Sequence, residues 1–257
     1  PATVTPTTLP AARGAAVTAS TAATAALAPP PPGPRAWSYT GHTGPQAWAT
    51  LTPANALCAR GTRQSPIDIR NGLKVDQDAL GIDYKLSYFN ILDNGRTIRV
   101  GYGRGSTLSV MGRRYELQHA DFHSPAEIRV EGRSFEMSMQ LLHRDAEGRL
   151  AILVVLLREG RANPLIQTLW NNLPLERDDE YTAQTPIQMA DVLPAQRGYY
   201  AFMGSLTTPP CSEGVLWLVL KEPVELSREQ IDIFRRYHDD NARPLQPANA
   251  RIVKESR

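Results

Sequence analysis

Apolar and polar residues alternate in short bursts along most of this chain. Thr97–Tyr102, Thr107–Met111 and Tyr115–His123 carry a period-two pattern with turn-forming residues between them, which predicts consecutive antiparallel strands. Phe135–His143 and Leu150–Leu157 continue the series across Arg144-Asp145-Ala146-Glu147-Gly148. Leu150–Leu157 is apolar without interruption, as expected of a central strand covered on both faces, and Val215–Leu220 is a further strand. Helical spacing is scarce. Ser227 and Gln230 stand at capping-box separation, Leu226 is placed to staple onto Ile231, and Ile231, Phe234 and His238 would share one side of the helix that follows. Asn163–Asn172 predicts a second short helix. Gly101-Tyr102-Gly103-Arg104-Gly105 lacks the strand–helix setting of a dinucleotide site and reads as a hairpin turn. The pattern predicts a mostly β protein with a few peripheral short helices.

Residues 1–36 have a different texture. They are almost entirely Ala, Thr and Pro, with Pro29-Pro30-Pro31-Pro32 near the end and Arg13 and Arg35 as the charged residues. Such a segment has no face to bury and favours extended polyproline conformations. It is expected to be an extended or disordered tail, acting as a spacer or as a strap against a protein partner or a second copy of the chain, with the folded domain at 37–257. No internal repeat is present.

Composition narrows the function classes. The 257 residues are 42% hydrophobic, enough for a sizeable core, and a net charge of +2 is too balanced for a nucleic-acid or membrane-surface binder. The longest clean apolar run, Leu150–Leu157, falls well short of the roughly 18–20 residues of a membrane span. The chain begins at Pro1 without an initiator Met or a basic and apolar leader, which leads to the expectation of an exported, periplasmic or extracellular protein whose signal has been removed. Cys58 and Cys211 are the two cysteines. On these facts one long-range disulfide and two buried free thiols both remain open.

Five stretches carry a family resemblance: Trp37-Ser38-Tyr39 with Gly44-Pro45-Gln46-Ala47-Trp48; Gln64-Ser65-Pro66-Ile67-Asp68-Ile69; Phe122-His123-Ser124-Pro125-Ala126-Glu127; Gly204-Ser205-Leu206-Thr207-Thr208-Pro209-Pro210-Cys211; and Asn241-Ala242-Arg243-Pro244-Leu245-Gln246-Pro247. In this order, from about Trp37 to Val253, the chain resembles the alpha-class carbonic anhydrases. The resemblance implies a single domain around a large, mainly antiparallel sheet with a conical cleft, at whose base a zinc ion hydrates carbon dioxide. It also implies that Cys58 and Cys211 form the disulfide of exported members.

Carbon dioxide hydration needs a metal hydroxide at neutral pH, and three neutral imidazoles leave zinc the charge to generate one. The resemblance places two of these ligands at alternate positions of one strand, here Asp121 and His123, and the third on the neighbouring strand, here Gln140. Ser138 stands where an acid would orient the third ligand. One imidazole of three is therefore expected, with zinc absent or weakly bound, because Asp partly neutralises a metal and Gln is a weak donor. His119 shares the strand face with Asp121 and His123; it is expected to form a hydrogen-bonded charge pair with Asp121, and a shifted metal site using both is the sharper alternative. Arg96 takes the place of the proton-shuttling histidine and cannot release its proton near neutrality.

Other parts of the implied machinery are present. Thr207 matches the hydroxyl that orients the zinc-bound hydroxide, Glu127 the carboxylate that accepts its hydrogen bond, and Thr208 follows. Leu142, Ile152, Leu206, Val215 and Trp217 match the apolar pocket wall, while Phe202 stands where a tyrosine hydroxyl is expected. His42, His143 and His238 are expected to be ordinary hydrogen-bonded residues. The leading expectation is an exported carbonic-anhydrase-like protein without efficient hydration, a pseudoenzyme acting as a binding or assembly module through residues 1–36 or the domain surface. The alternative is an altered but active carbonate dehydratase, a lyase whose metal is held by Asp121, His123 and Gln140. A third class binds a small anion or sugar in the cleft.

Overall fold

Short alternating segments become strands, as the pattern predicts. The computed structural model describes residues 1–3 and 36–257, so the expectation of a tail over 1–36 falls almost wholly outside the described residues. The strands are β1 (Asp68–Ile69), β2 (Leu73–Val75), β3 (Gly81–Asp83), β4 (Phe89–Asp93), β5 (Ile98–Tyr102), β6 (Thr107–Val110), β7 (Arg113–His123), β8 (Arg129–Val130), β9 (Met137–Arg144), β10 (Leu150–Glu159), β11 (Glu180–Thr182), β12 (Tyr199–Ser205), β13 (Glu213–Leu220), β14 (Val224–Leu226) and β15 (Lys254–Ser256). The helices are α1 (Trp48–Leu51), α2 (Leu57–Arg60), α3 (Pro164–Trp170) and α4 (Arg228–Tyr237). One large sheet runs in the order β11-β4-β5-β7-β9-β10-β13-β12-β15-β2, with β6 beside β7 and β14 beside β10. It is mainly antiparallel, with parallel pairs at β10–β13, β10–β14 and β15–β2.

The centre of this sheet is apolar on both faces. Along β10, Ala151, Leu153, Val155 and Leu157 enter one core, while Ile152, Val154 and Leu156 enter the other. β13 repeats the arrangement with Leu216, Leu218 and Leu220 against Val215, Trp217 and Val219. Full burial of such side chains contributes roughly 1.5–3 kcal/mol each, which explains why Leu150–Leu157 has no polar positions to give to solvent.

The two longer helices cover the larger core. At α4, Ser227 Oγ accepts the N–H of Gln230 while the Gln230 side chain accepts that of Ser227, a capping box worth about 1 kcal/mol. The same Gln230 side chain exchanges two hydrogen bonds with the backbone of Asn163, the residue that caps α3. Phe234 then packs beside Phe122 and Trp170.

His143 lies in this core, its Nε2 2.7 Å from the Tyr84 hydroxyl. Burial pushes its pKa from 6.5 down to about 4. Between these values the unfolded chain binds a proton that the native chain does not, so stability falls as pH falls through the window, by up to about 3 kcal/mol. Urea titrations at pH 7 and pH 4.5 should therefore show a smaller loss for His143→Gln than for the unaltered chain; equal losses would contradict the assignment.

Candidate active site

A phase change inside β7 builds the sheet face, or floor, on which the expected ligand positions stand. Tyr115 and Leu117 point into the larger core, and so do Ala120 and Phe122; odd positions give way to even ones. The register shifts between Leu117 and His119, so the exposed Gln118 is an inserted bulge residue. With a continuous pleat, His119, Asp121 and His123 would follow Leu117 into the core. The bulge turns all three to the opposite face.

Neighbouring strands complete that face. Asp121 pairs in register with Arg99 on β5 and with Gln140 on β9, and His123 pairs with Ser138. The three expected ligand positions are thus brought together, with an arginine that the sequence reading did not single out. Arg99 donates to Asp121 through Nε and Nη2, both at 2.8 Å. His119 Nε2 lies 3.5 Å from the same carboxylate. Burial alone would raise the Asp121 carboxyl, but the donors on Arg99 and His119 outweigh it and hold the group well below the usual carboxylate range. The expected His119–Asp121 pair is present, but Arg99 is the principal partner, because a bidentate guanidinium fits a carboxylate better than one imidazole nitrogen does.

Gln140 is also engaged. Its Nε2 donates to Glu127 Oε2 at 2.7 Å, and the other Glu127 oxygen accepts the Arg243 backbone N–H at 2.9 Å. His123 Nε2 stands 3.8 Å from Glu127 Oε2. Thr207 is buried nearby in sequence order after β12, but among the described residues no hydrogen bond joins it to Glu127. The implied Thr207–Glu127 bond is replaced by one from Gln140.

The motifs behind the resemblance converge around this floor. The buried Arg243 guanidinium donates to Gln64 Oε1, Ser65 O and Cys58 O, and burial pushes its pKa down to about 10. Gln64 in turn donates to Cys211 O, and Cys58 and Cys211 are bonded as a disulfide. The Asn241 side chain accepts the Ser124 N–H and donates to the Phe122 and Arg96 carbonyls. Arg243 is a second residue to which the sequence alone assigns no role; its place in the proline-rich closing segment is the one signal that could have marked it.

Ile152, Val215 and Trp217 lie in the smaller core, with Leu142 and Leu206 packed against it, and Thr208 is half-buried beside Thr207. Phe202 stacks on Trp217 at 5.9 Å, a fully apolar use of its position. Arg96 lies over the Trp37 ring at 4.4 Å and donates to the Trp37 carbonyl, so it fastens the Trp37 segment. His238 bonds Asp93 at 2.8 Å, as expected of a structural histidine, whereas His42 is exposed. The glycines at 101–105 are corrected too. β5 and β6 do not pair with each other but lie one after the other along β7, so this segment is a kinked junction and not a hairpin turn.

These donors do not fit a three-imidazole zinc. Both oxygens of Asp121 face Arg99, the Gln140 amide N–H faces Glu127, and His123 is the one imidazole among the three positions. Ser138 Oγ, where an acid would orient the third ligand, is buried without a hydrogen-bond partner among the described residues. A hydroxyl there cannot accept from the third ligand as a carboxylate does, so nothing fixes that ligand's orientation from behind.

Comparison with known proteins agrees with the fold and the motif order. The family model for eukaryotic-type carbonic anhydrase matches residues 43–257. A carbonic anhydrase of Pectobacterium carotovorum is 39% identical over 218 residues, 84% of this chain and 89% of that protein. Among solved structures, a hyperthermostable carbonic anhydrase from an active hydrothermal vent chimney superposes with a TM-score of 0.84 at 42% identity, over 86% of this chain and all of the other. The alpha-carbonic anhydrase of Thermovibrio ammonificans, solved with the inhibitor sulfanilamide, gives 0.83 at 38%, over 88% of this chain and all of the other. None of these names marks an inactive branch. This chain belongs to the alpha-class, eukaryotic-type carbonic anhydrase family.

Proposed function

We propose that this family member hydrates carbon dioxide slowly or not at all, holds zinc weakly or not at all, and uses its cleft or surface for binding. The observation that carries this reading is the bidentate Arg99–Asp121 pair, which occupies both oxygens of a ligand position whose neighbour Gln140 is turned to Glu127. Without a strongly held dication, water at this floor keeps a pKa far above neutrality and no hydroxide is available. Export belongs to the same proposal and is supported by the Cys58–Cys211 bond, since disulfides persist in oxidising compartments. So does a protein partner or second copy docking through residues 1–36 or the domain surface, supported by the composition of that segment alone.

The relatives favour a second reading, a working carbonate dehydratase, over a binding module. They are named carbonic anhydrases at close to 40% identity. In this reading Asp121, His123 and Gln140 would hold zinc as the cofactor, which would supply a hydroxide, Thr207 would orient it, and Leu142, Ile152, Leu206, Val215 and Trp217 would receive carbon dioxide.

A hydration assay beside the Pectobacterium carbonic anhydrase, with and without added zinc, separates the two. The first reading expects a rate near that of buffer under both conditions. Zinc-dependent turnover comparable to the relative's would establish the second.

A further inference from the structure

We infer that Arg99 closes the cleft floor to metal ions: its guanidinium is a fixed internal cation seated on Asp121 where a metal would have to bind. The inference deepens the proposed weak hold on zinc by assigning its cause to one side chain outside the three ligand positions.

Register comes first. Arg99 stands directly across from Asp121, and β5 is held between β4 and β7 by antiparallel ladders. The pleat therefore sends both side chains to the same face, so the contact is dictated by backbone pairing as well as by a rotamer. Ile98 and Val100 flank Arg99 and are buried in the larger core, which fixes the phase of the strand.

Occupancy comes second. One edge of the guanidinium meets one edge of the carboxylate, with two N–H···O bonds of 2.8 Å. A dication approaching Asp121 must break two charge-assisted bonds and then stand beside a positive group. Arginine cannot relieve that repulsion by losing its proton. A lysine, histidine or neutral side chain at this place would leave the carboxylate easier to capture.

The third observation is that Arg99 has no other task. Among the described residues its side-chain hydrogen bonds go to Asp121 alone, and the side chain is 40% exposed. It neither fills the core nor caps an element, so its removal alters the charge balance of the floor more than the packing of the sheet.

Equilibrium dialysis of the full chain against zinc, repeated with cobalt(II) for its visible absorption, tests this. Arg99→Gln and Arg99→Leu are expected to bind zinc at least tenfold more tightly than the unaltered chain. The gain should vanish in Arg99→Gln/Asp121→Asn, because Asp121 is the ligand released. Circular dichroism checks the fold, and the polar, uncharged Arg99→Gln decides if Arg99→Leu does not fold. Equally weak binding by the unaltered chain and both variants overturns the role of Arg99 while leaving the weak-zinc reading in place. A gain that survives Asp121→Asn overturns the role as well. Tight one-to-one zinc in the unaltered chain overturns both.

Discussion

Asp121→His/Gln140→His should convert this chain from weak zinc binding to one zinc per molecule at micromolar protein. The two positions already face each other across β7 and β9, on the face that carries His123, so the change supplies donors without altering the backbone. Three neutral imidazoles also restore the full metal charge and bring bound water to a pKa of about 7. Replacing Gln140 frees Glu127 from its 2.7 Å bond to that amide, leaving the carboxylate available to the Thr207 hydroxyl. Ser138→Glu should tighten zinc by a further ~10–100-fold, the usual effect of an outer-shell partner, because it replaces a buried hydroxyl that has no partner. Arg99→Gln belongs in the same variant, since its cation loses Asp121 and would face the new metal. Turnover should appear but stay dependent on buffer, as Arg96 cannot carry protons out. Metal content by mass spectrometry and stopped-flow hydration measure both effects. A folded quadruple variant that takes no zinc would show that these are not the ligand positions.

Removing the disulfide should cause the largest loss of stability. Cys58 and Cys211 are 153 residues apart, and closing so long a loop restricts the unfolded chain by about 5 kcal/mol in the loop-entropy model. That is a large share of the ~5–15 kcal/mol available to a typical domain. The bond also holds two carbonyls in place: Cys58 O accepts from Arg243 and Cys211 O from Gln64. Cys58→Ala/Cys211→Ala should therefore unfold at much lower denaturant, and reductant should do the same to the unaltered chain. A loss below about 1 kcal/mol would mean that the bridge merely records two cysteines already held together by the Arg243 hub.

Much of the fold was legible because the strands are regular. Leu150–Leu157 announces burial on both faces, and Ser227 with Gln230 announces the start of α4; both depend on local spacing. The strands β12 and β15 and the parallel pairing of β10 with β13 depend on long-range contacts that no local window contains. The ligand positions could be read through the resemblance, and their shared face follows from alternation once the bulge is included. The bulge is written in the sequence as a move of apolar residues from 115 and 117 to 120 and 122, but the period-two expectation for Tyr115–His123 ran over it. The partner of Asp121 was not visible. Arg99 reads as one polar residue between Ile98 and Val100, and only the pairing of β5 with β7 reveals what it faces. The Gln140–Glu127 bond was hidden for the same reason, since it joins a strand to a loop 13 residues earlier.

The most direct test of the account is a zinc titration of the unaltered 257-residue chain by equilibrium dialysis at neutral pH after removal of bound metal. With Arg99 on Asp121 and Gln140 on Glu127, the account predicts weak binding, well below one zinc per chain at micromolar metal. Saturation at one zinc per chain under those conditions, resistant to a chelating competitor, would contradict it and return the chain to the catalytic pattern of its relatives.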